Sequence, residues 1–149
     1  MIEPRYIRRA LREALGDETY LRFIVELLGP CQQRGRLRWW QEAAWEPVCV
    51  DLGIEPPDFA AMTALFLRCP AHKEDLQPGS MPISYGTRAP MSQHERSATA
   101  RLAPFAYERD FRPRAGGRET HRAVLFCAGC RAALHAWRAS RDGAGPPTP

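Results

Sequence analysis

The stretch HRAVLFCAGCRAALHAWR, residues 121–138, decides how the second half of this chain folds. Its first six residues are mostly apolar and short, as in a buried strand, and its last ten repeat apolar residues at helical spacing. Between them stand Cys127 and Cys130, three positions apart, with Gly129 before the second. That spacing is the short chelate of a zinc half-site, and the glycine permits the tight turn that brings two sulfurs onto one cation. A helix starting at Cys130 favours thiolate over thiol, because its N-terminus carries partial positive charge. The pair can be read as half of a metal site, as a redox couple, or as two buried thiols.

A tetrahedral structural metal needs four ligands, so the first reading requires a second half-site. Cys69-Pro70-Ala71-His72 supplies one, C-x-x-H, at the end of a helix-like segment. The expected ligand set is therefore Cys69, His72, Cys127 and Cys130, a Cys3His group suited to structural Zn2+. His94, His121 or His135 would replace His72 if the knuckle were built differently. The redox reading has a strand and a helix in the right places. It needs a further sheet, however, and the residues after Cys130 read as helix and tail. Thiol–disulfide exchange is kept as a lesser alternative. Cys31 and Cys49 lie outside any chelate spacing and are expected to be structural or incidental.

The order of knuckle, hairpin and second half-site at the head of a helix resembles the treble-clef class of zinc folds over residues 69–140. The resemblance implies a small α+β lobe built around the metal, although the 54-residue gap, 73–126, is longer than in compact members. The stretch CPAHKEDLQPGSMPISYG is also similar to small bacterial proteins that carry C-P-x-H, a P-I-x-Y-G element and a later C-x-x-C. That similarity brings no activity with it. Treble-clef scaffolds also host HNH nucleases, but neither His94 nor His121 stands in a D-H or H-x-x-N context, and the sequence contains no asparagine. Walker, Rossmann and nucleophile-elbow motifs are missing as well. A non-enzymatic protein is expected.

The first half reads differently. In PRYIRRALREALG, residues 4–16, Tyr6, Ile7, Ala10, Leu11, Ala14 and Leu15 share one helical face and arginines cover the other. Gly16 ends this helix, and Asp17 is placed to cap a second one bearing Tyr20, Ile24, Leu27 and Leu28. A third helix is expected from about Leu37, interrupted or kinked at Pro47. Its Trp39, Trp40 and Trp45 are expected in the core. A fourth begins after Pro56-Pro57-Asp58, with Phe59, Met62 and Phe66 inward. Beyond Cys69 the pattern predicts a short strand near Met81–Tyr85, a loop over 86–104 with one helical turn at most, a basic hairpin at Gly116-Gly117, and the strand and helix already quoted. The last helix should turn Ala133, Leu134 and Trp137 inward. The fold class expected is α+β, mostly α: a helical lobe, 1–68, a zinc-bound treble-clef-like lobe, 69–141, and a disordered tail, 142–149.

Hydrophobic residues make up 44% of the 149 and charged residues 26%, enough for a core. No apolar run approaches the length of a membrane span, and the charged start lacks the apolar core of a signal peptide, so a cytoplasmic protein is expected. The net charge of +4 is uneven. Residues 1–87 hold 10 Lys+Arg against 12 Asp+Glu, while residues 88–149 hold 11 against 5. In the basic half, Arg109, Arg112, Arg114, Arg118 and Arg122 alternate with Phe105, Tyr107 and Phe111. Such a mixture serves phosphate contacts and base stacking, or simply a solvated hairpin with its aromatics inward. The expected function is a zinc-stabilised interaction module with a protein partner. Nucleic-acid binding through the basic half is the alternative.

Overall fold

The structure, a computed structural model, describes residues 1–30, 32, 35–86, 91–114 and 117–142. The chain is α+β and mostly α, with six helices and three strands among those residues. It divides into two compact units, Met1–Pro70 and Ala71–Pro149. The division falls inside the C-x-x-H knuckle. The tail expected over 142–149 lies, apart from Asp142, outside the described residues.

In the first unit, α1 (Pro4–Leu15) starts with proline at its first position, where no intrahelical donor is needed. It buries Ile7 and Leu11, whereas Tyr6 and Ala14 of the expected face are exposed. Gly16 then turns the chain at φ +76°. Asp17 does not cap α2 (Asp17–Leu28); it is the helix's first residue and meets the Arg12 guanidinium at 2.6 Å. Helix α2 buries Tyr20, Phe23, Ile24, Leu27 and Leu28.

Helix α3 (Trp39–Leu52) is not interrupted at Pro47. Pro47 is exposed, as is Ala43, whose carbonyl would otherwise take the missing N–H, so the lost hydrogen bond costs little there. Gln41 anchors this helix from a fully buried position: its amide donates to Phe23 O at 3.0 Å and accepts from Arg38 N–H at 2.9 Å. Gly53, left-handed at φ +65°, closes the helix with its N–H on Cys49 and Val50 carbonyls.

Asp58 caps α4 (Phe59–Leu65) by accepting from Ala61 N–H at 2.8 Å. Arg8 donates to Leu65 O at 2.8 Å, satisfying a carbonyl at the end of that helix. Phe66 sits at the centre of the unit, 6.1 Å from the Phe23 ring and edge-on to Trp45 at 5.9 Å. Only Trp45 of the three tryptophans is a core residue; Trp40 is half-buried, and Trp39 is 82% exposed at the first turn of α3.

The second unit is built on β1 (Gln77–Tyr85), longer than the expected strand and central in a three-stranded sheet. Helix α5 (Gln93–Leu102) occupies much of the segment expected to be a loop, and Ser92 caps it by accepting from Glu95 N–H. β2 (Asp110–Arg112) runs parallel to β1, and β3 (His121–Phe126) runs antiparallel on β1's other side. No β2–β3 hairpin forms, since β1 lies between them; of Gly116-Gly117, Gly116 lies outside the described residues.

Register within the β1–β3 ladder pairs Gln77 with Phe126, so the strand ends immediately before Cys127. Gly79 lets the Phe126 ring lie against the strand: a Cβ there would meet that ring at 2.7 Å. Helix α6 (Ala128–Asp142) follows at once. It buries Leu134, leaves Ala133 and Trp137 half-buried, and begins two residues before Cys130 rather than at it. Its Arg131 lies 3.8 Å over the Phe126 ring and donates to the carbonyls of Ala106 and Tyr107.

Candidate metal centre

Two local structures present the four side chains. The first is the turn after α4, where Cys69 is fully buried and His72 half-buried. Lys73, at φ +59°, turns the chain directly after His72 in a conformation uncommon for a residue with a side chain. The second is the junction of β3 and α6. Cys127 N–H donates to Phe105 O at 2.9 Å, and Cys127 O receives Arg131 N–H at 3.1 Å, the first hydrogen bond of α6. Cys127 is thus the residue that caps the helix, and its sulfur accepts from Cys130 N–H at 3.4 Å. A helix N-terminus stabilises negative charge on sulfur, which favours the ligating form.

Cys69, His72, Cys127 and Cys130 each offer one ligand atom, and the four atoms lie within 4.8 Å of one another. His72 turns Nδ1 toward the sulfurs, 3.3 Å from Cys130 Sγ and 3.8 Å from Cys127 Sγ. Tetrahedral bonds of about 2.3 Å to sulfur and 2.05 Å to nitrogen place neighbouring N and S ligands about 3.6 Å apart. The two N–S separations bracket that value, so the imidazole and these two sulfurs are spaced as ligands of one small thiophilic cation would be. The cysteines of the cluster carry no disulfide.

The other histidines are elsewhere. His94 is exposed with its ring 6.0 Å from that of Trp137, His121 is exposed beside Thr120 Oγ1 at 3.1 Å, and His135 is exposed on α6. Cys49 is buried in the first unit, where burial and then the Glu46 charge push its thiol pKa up, as for an inert packing residue. Cys31 lies outside the described residues.

Glu74 belongs to the centre, and the ligand spacings gave no sign of it. Its Oε2 accepts from Gly129 N–H at 3.0 Å and from the Cys127 thiol at 3.6 Å. Gly129 leaves room for it and for the imidazole. A Cβ there would stand 2.9 Å from Glu74 Oε1 and from His72 Cγ.

Of the five arginines considered for nucleic acid, three are committed within the fold. Arg109 donates to Ser84 Oγ at 2.7 Å. Arg112 bridges Asp110 at 3.0 Å and Glu119 at 3.3 Å, and those hydrogen bonds push its pKa further up. Arg122 meets the same Asp110 at 3.4 Å. Arg114 and Arg118 are exposed. Of the interleaved aromatics, Phe105 is buried with the Tyr107 ring edge-on at 5.8 Å, and Phe111 is 42% exposed.

In the first unit a groove of about 530 Å³ is lined by Trp39, Glu42, Trp45, Pro56, Phe59 and Met62 among others. No helix among the described residues is long and apolar enough to cross a membrane.

Compared with known proteins, the chain matches no protein-family model, no curated protein and no solved structure.

Proposed function

We propose that this chain is a non-enzymatic interaction module in which a structural Zn2+ on Cys69, His72, Cys127 and Cys130 holds residues 69–142 together. The observation that carries this reading is the convergence of three sulfurs and one imidazole nitrogen from two half-sites, the sulfurs on fully buried cysteines. Three sulfurs and one imidazole complete a tetrahedral shell, leaving no position for water or substrate, and such closed shells serve folding rather than Lewis-acid chemistry. The need is evident in the second unit's make-up: a sheet with a three-residue edge strand, and one helix, α5, that buries only Ala98. Metal binding then supplies part of the folding free energy of this unit. The sequence of knuckle, antiparallel β1–β3 pair and ligand-bearing helix supports placing it with treble-clef zinc folds.

A protein partner is the reading favoured by the first unit. Its groove has aromatic and proline walls, and Trp39 stands out at its edge; large exposed aromatics of this sort are enriched where proteins meet. The exposed Phe111 beside Arg109 and Arg112 supports nucleic acid as a second reading, with fewer arginines available than the count of basic residues implies.

Native mass spectrometry with elemental analysis, before and after a chelator, tests the central reading. One zinc per chain, whose removal lowers the melting temperature of the second unit, is expected. A fully folded second unit that binds no metal would overturn it. Retention on DNA or RNA that falls steeply with salt would move the partner assignment to nucleic acid.

A further inference from the structure

Glu74 is placed where two opposite effects on the metal centre meet. Its Oε2 holds Gly129 N–H, at 3.0 Å, and so ties the residue two places after His72 to the first turn of α6, between the two cysteines of the second half-site. The same oxygen lies 3.6 Å from Cys127 Sγ and accepts its S–H. Binding a cation converts that sulfur to a thiolate, which has no proton to donate. The contact then becomes one between two negative groups. A cage of three thiolates and one imidazole around a divalent cation already carries one negative charge, and Glu74 adds a second beside it.

Building on the metal reading above, we infer that Glu74 sets how tightly the cage holds its metal: the carboxylate positions Cys127 through Gly129, while its charge keeps the Cys127 arm exchangeable. Glutamine is the substitution that separates the two effects. Its carbonyl oxygen can take Gly129 N–H, and its amide N–H₂ can turn to the sulfur as a donor to thiolate. Alanine removes both the clip and the charge. A carboxylate retained purely for structure predicts that alanine weakens binding and glutamine leaves it unchanged. A carboxylate with this double role predicts that they move in opposite directions.

The probe is Co2+, titrated into metal-free protein and followed by its thiolate charge-transfer absorption, with Zn2+ affinity then measured by competition against a chromophoric chelator. Loss of a partner that orients a ligand weakens metal binding by roughly 10- to 100-fold, and this is expected for Glu74→Ala. For Glu74→Gln we expect binding roughly three- to ten-fold tighter than in the unaltered protein, a modest gain because Glu74 is open to solvent. The charge-transfer band of the glutamine variant should also shift to higher energy, as a sulfur that accepts an N–H becomes a poorer electron donor. Glu74→Gln binding no tighter than the unaltered protein would overturn the inference even if Glu74→Ala proved too unstable to measure. If the unaltered protein took up no Co2+ at all, the metal reading itself would fall, so the two failures are distinguishable.

Discussion

Replacing Gly129 by alanine should change metal affinity and metal-free stability in opposite directions. Gly129 adopts an ordinary helical conformation, with no positive φ to hold it as glycine. As a helical residue, alanine is favoured over glycine by up to about 1 kcal/mol. The new methyl group, however, would lie 2.9 Å from Glu74 Oε1, 2.9 Å from His72 Cγ and 3.1 Å from His72 Cβ, all closer than ordinary contact. The glutamate oxygen ends a flexible side chain and can retreat. The imidazole can retreat only while its Nδ1 is not held by a cation. In the metal-free protein the clash is therefore relieved, and the variant should melt at the same temperature as the parent or slightly above it. With the cage loaded, His72 is pinned, and overpacking of this kind costs about 1–3 kcal/mol. The helical gain is common to both states and cancels in the binding equilibrium, so this cost appears as a loss of roughly 5- to 150-fold in zinc affinity, since a tenfold change corresponds to about 1.4 kcal/mol. Chelator competition and paired thermal melts, with and without zinc, measure both quantities on one preparation. A Gly129→Ala protein that binds zinc as tightly as its parent would show that His72 is not held where the distances place it.

Cys69→Ser, His72→Ala, Cys127→Ser and Cys130→Ser should each abolish stoichiometric zinc and lower the melting temperature of the second unit; full metal content in Cys127→Ser would refute the ligand set. Phe66→Ala should cost about 3–5 kcal/mol by urea unfolding, because the ring is fully buried between Phe23 and Trp45. Gln41→Ala should cost about 1–3 kcal/mol, measured the same way, by leaving Phe23 O and Arg38 N–H without their side-chain partner. Burial pushes the pKa of Glu26 up, but hydrogen bonds from Arg22 and Trp40 and the charges of Arg38 and Arg22 outweigh it and hold it below the ordinary 4.5. Its stabilising contribution is thus complete above that value and lost as pH falls through the depressed one. Glu26→Gln should flatten this acid limb of the melting-temperature profile, and an unchanged limb would refute the assignment.

Helices α1 and α2 were legible because one face of each packs at a 3.6-residue period, and the Cys/His cluster was legible because its two halves carry the short spacings that chelation favours. Trp45 and Trp39 differ by six residues, which sets them about 120° apart around α3, and composition alone put both in the core. The helix α5 buries only Ala98, so its apolar signal was faint; the Ser92–Glu95 pair that caps it was the readable sign. The parallel pairing of β2 with β1 is set by three residues and left no pattern in the sequence. Glu74 acts on a backbone N–H 55 positions away, a relation that only the β1–β3 register creates.

That register also orders events in time. Helices α1 and α2 are joined by Gly16 alone, so their packing is local and forms fast. Strand β1 must instead wait for β3, across residues 86–120, before Phe126 seats on Gly79 and Cys127 reaches the knuckle. Closing so long a loop is an entropic barrier met before any ladder contact rewards it. Refolding should accordingly show a rapid helical phase that ignores zinc, followed by a slower one whose end state zinc stabilises.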